Sequence, residues 1–222
     1  MKKFISTIFA LTLSFGVFAQ NETMFIHKDG QIISQYAVAD MDSITFGSAG
    51  VVINGVRWAT RNVDAPGIFA QNPESLGMFY QWNRRTGWAA TGNVSGWNSS
   101  TPAGTTWTSA NDPCPQGWRV PTETELRTLI NANFVTSQWA TVNGVNGHRF
   151  TDRNTGNNIF LPAVGSRYSG HGTLYHAGSI GCYWSSTQFN SSNAYYLYFY
   201  SGNARVNYNN RAYGFSVRCV AE

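Results

Sequence analysis

Alternation of apolar and polar side chains is clearest near the C-terminal end of the chain. In AYYLYFYSG, residues 194–202, a two-residue period puts Tyr195, Leu197 and Phe199 on one face of a strand and Tyr196, Tyr198 and Tyr200 on the other. Ser201-Gly202 then turns the chain, and a second strand places Ala204 and Val206 in the inward row and Asn203, Arg205 and Asn207 in the outward one. The pattern predicts an apolar inner face and an outer face of tyrosine, asparagine and arginine. It also fits a strand buried on both sides, its tyrosines lying under another layer.

Helical periodicity is convincing in one place. RVPTETELRTLINANF carries Thr122 as an N-cap, Glu125 three residues later as its capping-box partner, and Leu126, Leu129 and Ile130 on one face. Residues 24–46 read as two short strands around the turn Asp29-Gly30 and a third at Ser43 to Phe46, too small a unit to bury a core of its own. Gly47 to Gly50 reads as a linker. The stretch 86–112 is polar yet holds Trp88, Trp97 and Trp107, which predicts loops packed on their own indoles. The expected class is α+β with few helices, short strands and long loops.

Lys2 and Lys3, the apolar run Phe4 to Phe18, and the small residues Val17 and Ala19 have the form of a secretory signal. The expected organisation is a signal peptide at 1–19, a small β-rich segment with linker at 20–50, and the main domain at 51–222, in a protein secreted or held at the cell surface. Removing the two lysines lowers the formal charge from +4 to +2, so charge gives nucleic acid binding no support. The leader's apolar run is shorter than the roughly 20 residues a spanning helix needs, and no later segment reaches that length. No membrane span is expected.

Three cysteines in an exported chain leave one over. Cys114 precedes the helix and Cys219 lies in the last strand, so a bridge between them would tie the chain end to the middle of the domain; two small buried thiols are the alternative. Cys182 then stands alone. His171 and His176 lie in the glycine-rich YSGHGTLYHAG, which offers no group to orient a catalytic base and lacks the helical context of a two-histidine metal motif. Asp152 reads as turn chemistry, and Glu123 and Glu125 as a helix start. The expectation is a protein that is not an enzyme and holds no metal or cofactor.

The C-terminal ribbon is therefore the informative region. From Gln188 to Phe215, 15 of 28 residues are Asn, Tyr or Ser, an alphabet shared with antibody paratopes, where Tyr supplies rigid contact area and Asn and Ser adapt their hydrogen bonds.

INGVRWATRNV, FYQWNR, DPCPQGWRVPTETEL, FLPAVGSR, GCYWSSTQ and NNRAYGFSVRCV occur in this order between Val51 and Val220. In this the chain resembles the Fibrobacter succinogenes major paralogous domain family, and the resemblance implies a secreted bacterial protein with a C-type lectin-like fold, related also to the formylglycine-generating fold. Calcium-dependent sugar binding is not implied, because the chain has no EPN, QPD or WND triplet. Formylglycine chemistry, which needs a cysteine pair, has only Cys182 to draw on.

A narrower resemblance is to the variable proteins of diversity-generating retroelements, whose C-terminal codons are rewritten at adenines. It implies a ligand-binding set of Cys182, Phe189, Asn190, Asn193, Tyr196, Tyr198, Tyr200, Asn203, Arg205, Asn207, Tyr208, Asn209, Ala212, Tyr213 and Phe215, each a residue that a rewritten asparagine codon can encode. Trp184, Leu197, Phe199, Gly202, Val206, Arg211, Gly214 and Val217 would form the fixed frame. The expected partner is a protein or glycan on a cell surface. The alternative is a structural or cell-surface assembly protein whose ribbon packs against a neighbour.

Overall fold

The structure is a computed structural model and describes residues 23–28, 31–38 and 50–222. The signal peptide expected at 1–19, the Asp29-Gly30 turn, the strand at Ser43 to Phe46 and the linker before Gly50 lie outside the described residues. Contacts divide the chain into two units, Met1–Gly47 and Ser48–Glu222. In the smaller one, β1 (Thr23–Lys28) pairs antiparallel with β2 (Gln31–Ala37), Thr23 opposite Ala37.

The larger unit corrects the expected class. Strands dominate it, and Glu123–Leu129 is the one α-helix among the described residues, so the fold is β-rich and not the α+β arrangement that the helix and short strands of the sequence predict. The reason is local: outside that segment no long stretch keeps a helical apolar stripe, and the turn-forming glycines leave room for short strands and loops.

The chain enters through β3 (Gly50–Ile53) and β4 (Val56–Ala59). These join β7 (Trp118–Arg119) and the terminal β17 (Val220–Ala221) in a sheet ordered β3-β4-β17-β7. A meander of β8 (Val135–Val142), β9 (Val145–Asp152) and β10 (Asn158–Pro162) forms a second sheet. The largest sheet centres on β13 (Ile180–Gln188), β14 (Asn193–Tyr200) and β15 (Asn203–Asn210), all antiparallel neighbours. It continues from β13 through β16 (Gly214–Ser216) to β11 (Ser166–Arg167) and β12 (Leu174–Tyr175). The strands β5 (Met78–Gln81) and β6 (Gly87–Ala89) extend it from β16.

Helix α1 (Glu123–Leu129) begins as its sequence dictates. Thr122 Oγ1 accepts from the Glu125 N–H at 3.2 Å, and the Glu125 carboxylate accepts from the Thr122 N–H at 2.7 Å. Arg119 holds the same carboxylate in a two-pronged pair at 2.6 and 2.8 Å. Seven residues cannot sustain a helix in water, so burial of Leu126 and Leu129 supplies what local propensity does not.

Hydrophobic side chains gather in two clusters. One joins Leu126, Leu129, Phe150, Tyr183, Leu197 and Phe199, and so lies between the inward row of the ribbon, the helix and the meander. Close packing there needs Gly181, where an added Cβ would lie 2.0 Å from the Phe199 ring. The other joins Tyr80, Trp82, Trp107, Trp184, Tyr196, Phe215 and the cystine, and is covered mostly by loops. Cys114 and Cys219 are disulfide-bonded across 105 residues, and Cys182 is free and buried. The indoles of the 86–112 stretch pack as expected: Trp88 against Trp97 at 4.8 Å, and Trp107 against Trp82 at 6.0 Å.

Candidate recognition site

Register across the ribbon decides which side chains share a surface. Cys182 lies opposite Tyr198 and Trp184 opposite Tyr196, while Tyr198, Tyr196 and Tyr200 face Arg205, Asn207 and Asn203 in β15. The outward row is therefore the predicted set of Tyr, Asn and Arg, extended across β13 by Ile180 and Cys182.

Exposure along that row is graded, and here the reading of three exposed phenols is corrected. Tyr200 is 38% exposed, Tyr198 is half-buried, and Tyr196 is only 5% exposed. The Tyr196 ring sits 4.6 Å from Phe215 and 6.0 Å from Trp184. At this end of the row the strand is buried on both faces, because Phe215 of β16, alongside β13 in the same sheet, packs against Tyr196 and Trp184 on the outward side.

Between the buried and open ends lies a hollow of about 400 Å³ lined by Ser166, Tyr168, Tyr175, His176, Ile180, Cys182, Tyr196, Tyr198, Asn209, Tyr213 and Phe215. Six of the fifteen sequence-derived positions are in this lining: Cys182, Tyr196, Tyr198, Asn209, Tyr213 and Phe215. Asn203, Arg205, Asn207 and Tyr200 adjoin it along the outward row. The rest go elsewhere. Phe189 and Tyr208 stack at 3.8 Å with Tyr195 beside them, and register puts Tyr208 in the inward row, not with Asn207 and Asn209. Asn190 organises its own turn, its Oδ1 accepting from the Ser192 and Asn193 N–H groups at 3.0 and 2.8 Å. Ala212 is buried, its carbonyl accepting from Gln81 Nε2 at 2.8 Å.

The sequence marks neither Tyr168 nor Tyr175 as a site residue, and it offers His176 only as a base or metal ligand. They sit in the glycine-rich segment between β11 and β13, with Tyr175 in the two-residue β12, where no periodicity marks a face. Two aromatic residues in an otherwise small-residue loop were the available signal. Their placement rests on Arg167, which is fully buried and donates to the carbonyls of Ala89, Thr91, Gly92 and Gly172 at 2.6–3.1 Å, joining two loops. Arg211 does the same at the other end of the ribbon. It lies 4.2 Å over the Trp82 ring and donates to the Gly104 carbonyl at 2.7 Å and to Gln188 Oε1 at 2.8 Å. A buried guanidinium is tolerable only when its donors are satisfied, so each is a polar knot holding loops that carry little regular structure.

The lining is chemically quiet. Burial pushes the Tyr196 and Tyr213 phenols up, and pushes the Cys182 thiol far above the thiolate range. At neutral pH these groups are uncharged, and the lining contains no Asp, Glu, Lys or Arg. Arg205 stands at the border, its guanidinium 5.1 Å from the Tyr198 ring centre.

Residues 56–221 match the model of the Lcl C-terminal domain family, and the chain belongs to that family. No curated protein and no solved structure matches it.

Proposed function

We propose that this member of the Lcl C-terminal domain family is an exported, non-enzymatic binding protein whose recognition face is the tyrosine-lined hollow and the adjoining outward row of β14 and β15. The observation that carries this reading is convergence. Six positions spread from Cys182 to Phe215 meet in one hollow, while the interleaved Trp184, Leu197, Phe199, Arg211 and Val217 are fully buried. Of the six, Tyr198, Asn209 and Tyr213 keep accessible area, so variation there would alter a surface, whereas Cys182, Tyr196 and Phe215 are buried and would change its floor. Such variation around a fixed scaffold is the pattern that rewriting of these codons by a retroelement would leave. It predicts a near-copy of codons 182–220 in the adjacent DNA, with adenines at the variable positions, beside a reverse transcriptase gene.

A concave, mostly apolar hollow with a few polar groups is the usual form of a ligand site. Its one thiol is buried and protonated, which favours binding over covalent chemistry. The test is to screen the exported chain against arrays of defined glycans, lipids and surface proteins, beside a Tyr198→Ala variant and an Asn209→Trp variant that fills the hollow. The expected result is a ligand held by the parent chain and lost by both variants. Retention of every ligand by both variants, or no ligand at all, would overturn the reading.

A further inference from the structure

The rings around the hollow are inclined to one another, three pairs near right angles and three near 40°, and none is parallel. Tyr168 stands at 87° to Tyr213 and 85° to Tyr175, and Tyr196 at 82° to Tyr198. A flat guest stacks on one ring face or between two parallel ones and gains little from inclined walls. A compact, rounded group can be approached by several rings at once. Aromatic faces are electron-rich, so a rounded group that is also cationic gains from each wall it meets.

The kind of cation follows from the rest of the lining. No carboxylate is present to pair with a primary ammonium, whose N–H donors would lose water without replacement. A quaternary ammonium has no N–H to satisfy, and its methyl groups suit an apolar wall. Burial keeps the Tyr196 and Tyr213 phenols protonated, so these two walls stay neutral. Arg205 borders the site, exposed, directly opposite Tyr198 in the ribbon and stacked over its ring. A guanidinium there repels a bare cation but suits a cation that carries its own anion.

We infer that the hollow binds a phosphocholine group, its trimethylammonium among the tyrosine rings and its phosphate at Arg205. This rests on the hollow being the recognition site, as proposed above, and adds the chemistry of its ligand. Phosphocholine reaches a protein as a lipid headgroup or as a substituent on a soluble or surface-bound carrier.

The full exported chain is titrated by calorimetry with phosphocholine, with phosphoethanolamine, and with 3,3-dimethylbutyl phosphate, which keeps the shape and lacks the positive charge. Phosphocholine is expected to bind about tenfold more tightly than either comparator. Tyr198→Leu, which keeps apolar bulk and removes the ring, should weaken phosphocholine by about tenfold with an unchanged melting temperature. Arg205→Gln should weaken phosphocholine and not choline. Sedimentation with phosphatidylcholine vesicles separates the sources: Tyr198-dependent pelleting identifies the lipid, and binding of soluble phosphocholine alone identifies another carrier. Equal binding of 3,3-dimethylbutyl phosphate, or no binding of phosphocholine, overturns the inference. If phosphocholine fails while an array ligand still depends on Tyr198, the recognition reading survives without it. If nothing depends on the hollow, both fall.

Discussion

The two faces of β13 and β14 are covered by different kinds of structure. The inward face, with Tyr183, Leu197 and Phe199, is closed by a capped helix and a three-stranded meander. The outward face, with Trp184 and Tyr196, is closed by loops held through a disulfide, indole N–H groups and the buried arginines. Trp82 Nε1 donates to the Ser185 carbonyl at 2.9 Å and Trp184 Nε1 to the Tyr80 carbonyl at 2.8 Å, so large aromatic side chains here both fill space and satisfy backbone. Regular elements cover a sheet evenly. Loops need a polar partner at each crossing, and where they stop the sheet stays open, which is where the hollow lies.

The largest effect should come from the evenly covered side. Phe199→Ala is expected to cost about 3–5 kcal/mol and Leu197→Ala about 2–5 kcal/mol in denaturant unfolding, since both are fully buried in a packed cluster. A loss below about 1 kcal/mol at Phe199 would mean that the inward face is not a core.

Replacing both Cys114 and Cys219 by alanine tests the loop-covered side. A bridge closing so long a loop contributes about 2–5 kcal/mol. Hydrogen exchange should then rise chiefly in the loops around Trp82 and Trp107, and hardly at all in the meander. Equal exposure of both sides would erase the distinction drawn between them.

Within the outward row the gradient itself can be measured. Tyr196→Ala removes a buried ring and should cost about 3 kcal/mol, whereas Tyr200→Ala, at the open end, should stay within about 0.5 kcal/mol. Similar losses at both positions would leave no open end to the sheet.

The smallest effect is a pH dependence on the inward side. His148 packs 5.2 Å from Phe199, with Ser137 Oγ 2.7 Å from Nδ1 and the Tyr200 carbonyl 3.1 Å from Nε2. Burial lowers its pKa, partly opposed by the bond to that carbonyl. The unfolded chain therefore takes up the proton first as pH falls. Stability is fully present above the ordinary histidine pKa and declines below it. Thermal unfolding between pH 7.5 and 5 should show the decline, and His148→Phe should flatten it.

Several features were legible because they depend on neighbours in the chain. Thr122 and Glu125 marked the helix start, and alternation from Tyr195 to Tyr200 sorted the two faces correctly. The pairing of Cys114 with Cys219 was readable from their places in the chain. The burial of Tyr196 was not, because Phe215 reaches it only once β16 takes its place beside β13. Tyr168 and Tyr175 escaped for a similar reason: Arg167 positions their loop through carbonyls at 89–92, more than 70 residues away. The fold class was misjudged because one well-capped helix was given the weight of a helical layer, where the scarcity of helical periodicity elsewhere already pointed to a β-rich domain.

By itself the sequence determined side-chain parity, the helix cap and the composition of the ribbon, since each is a matter of short-range geometry and residue chemistry. Only the tertiary structure decided which outward tyrosines are covered and which residues wall the hollow. Those depend on loops whose paths are set by distant partners, a buried guanidinium or a bridged cysteine, and no local period in the chain records where such partners meet.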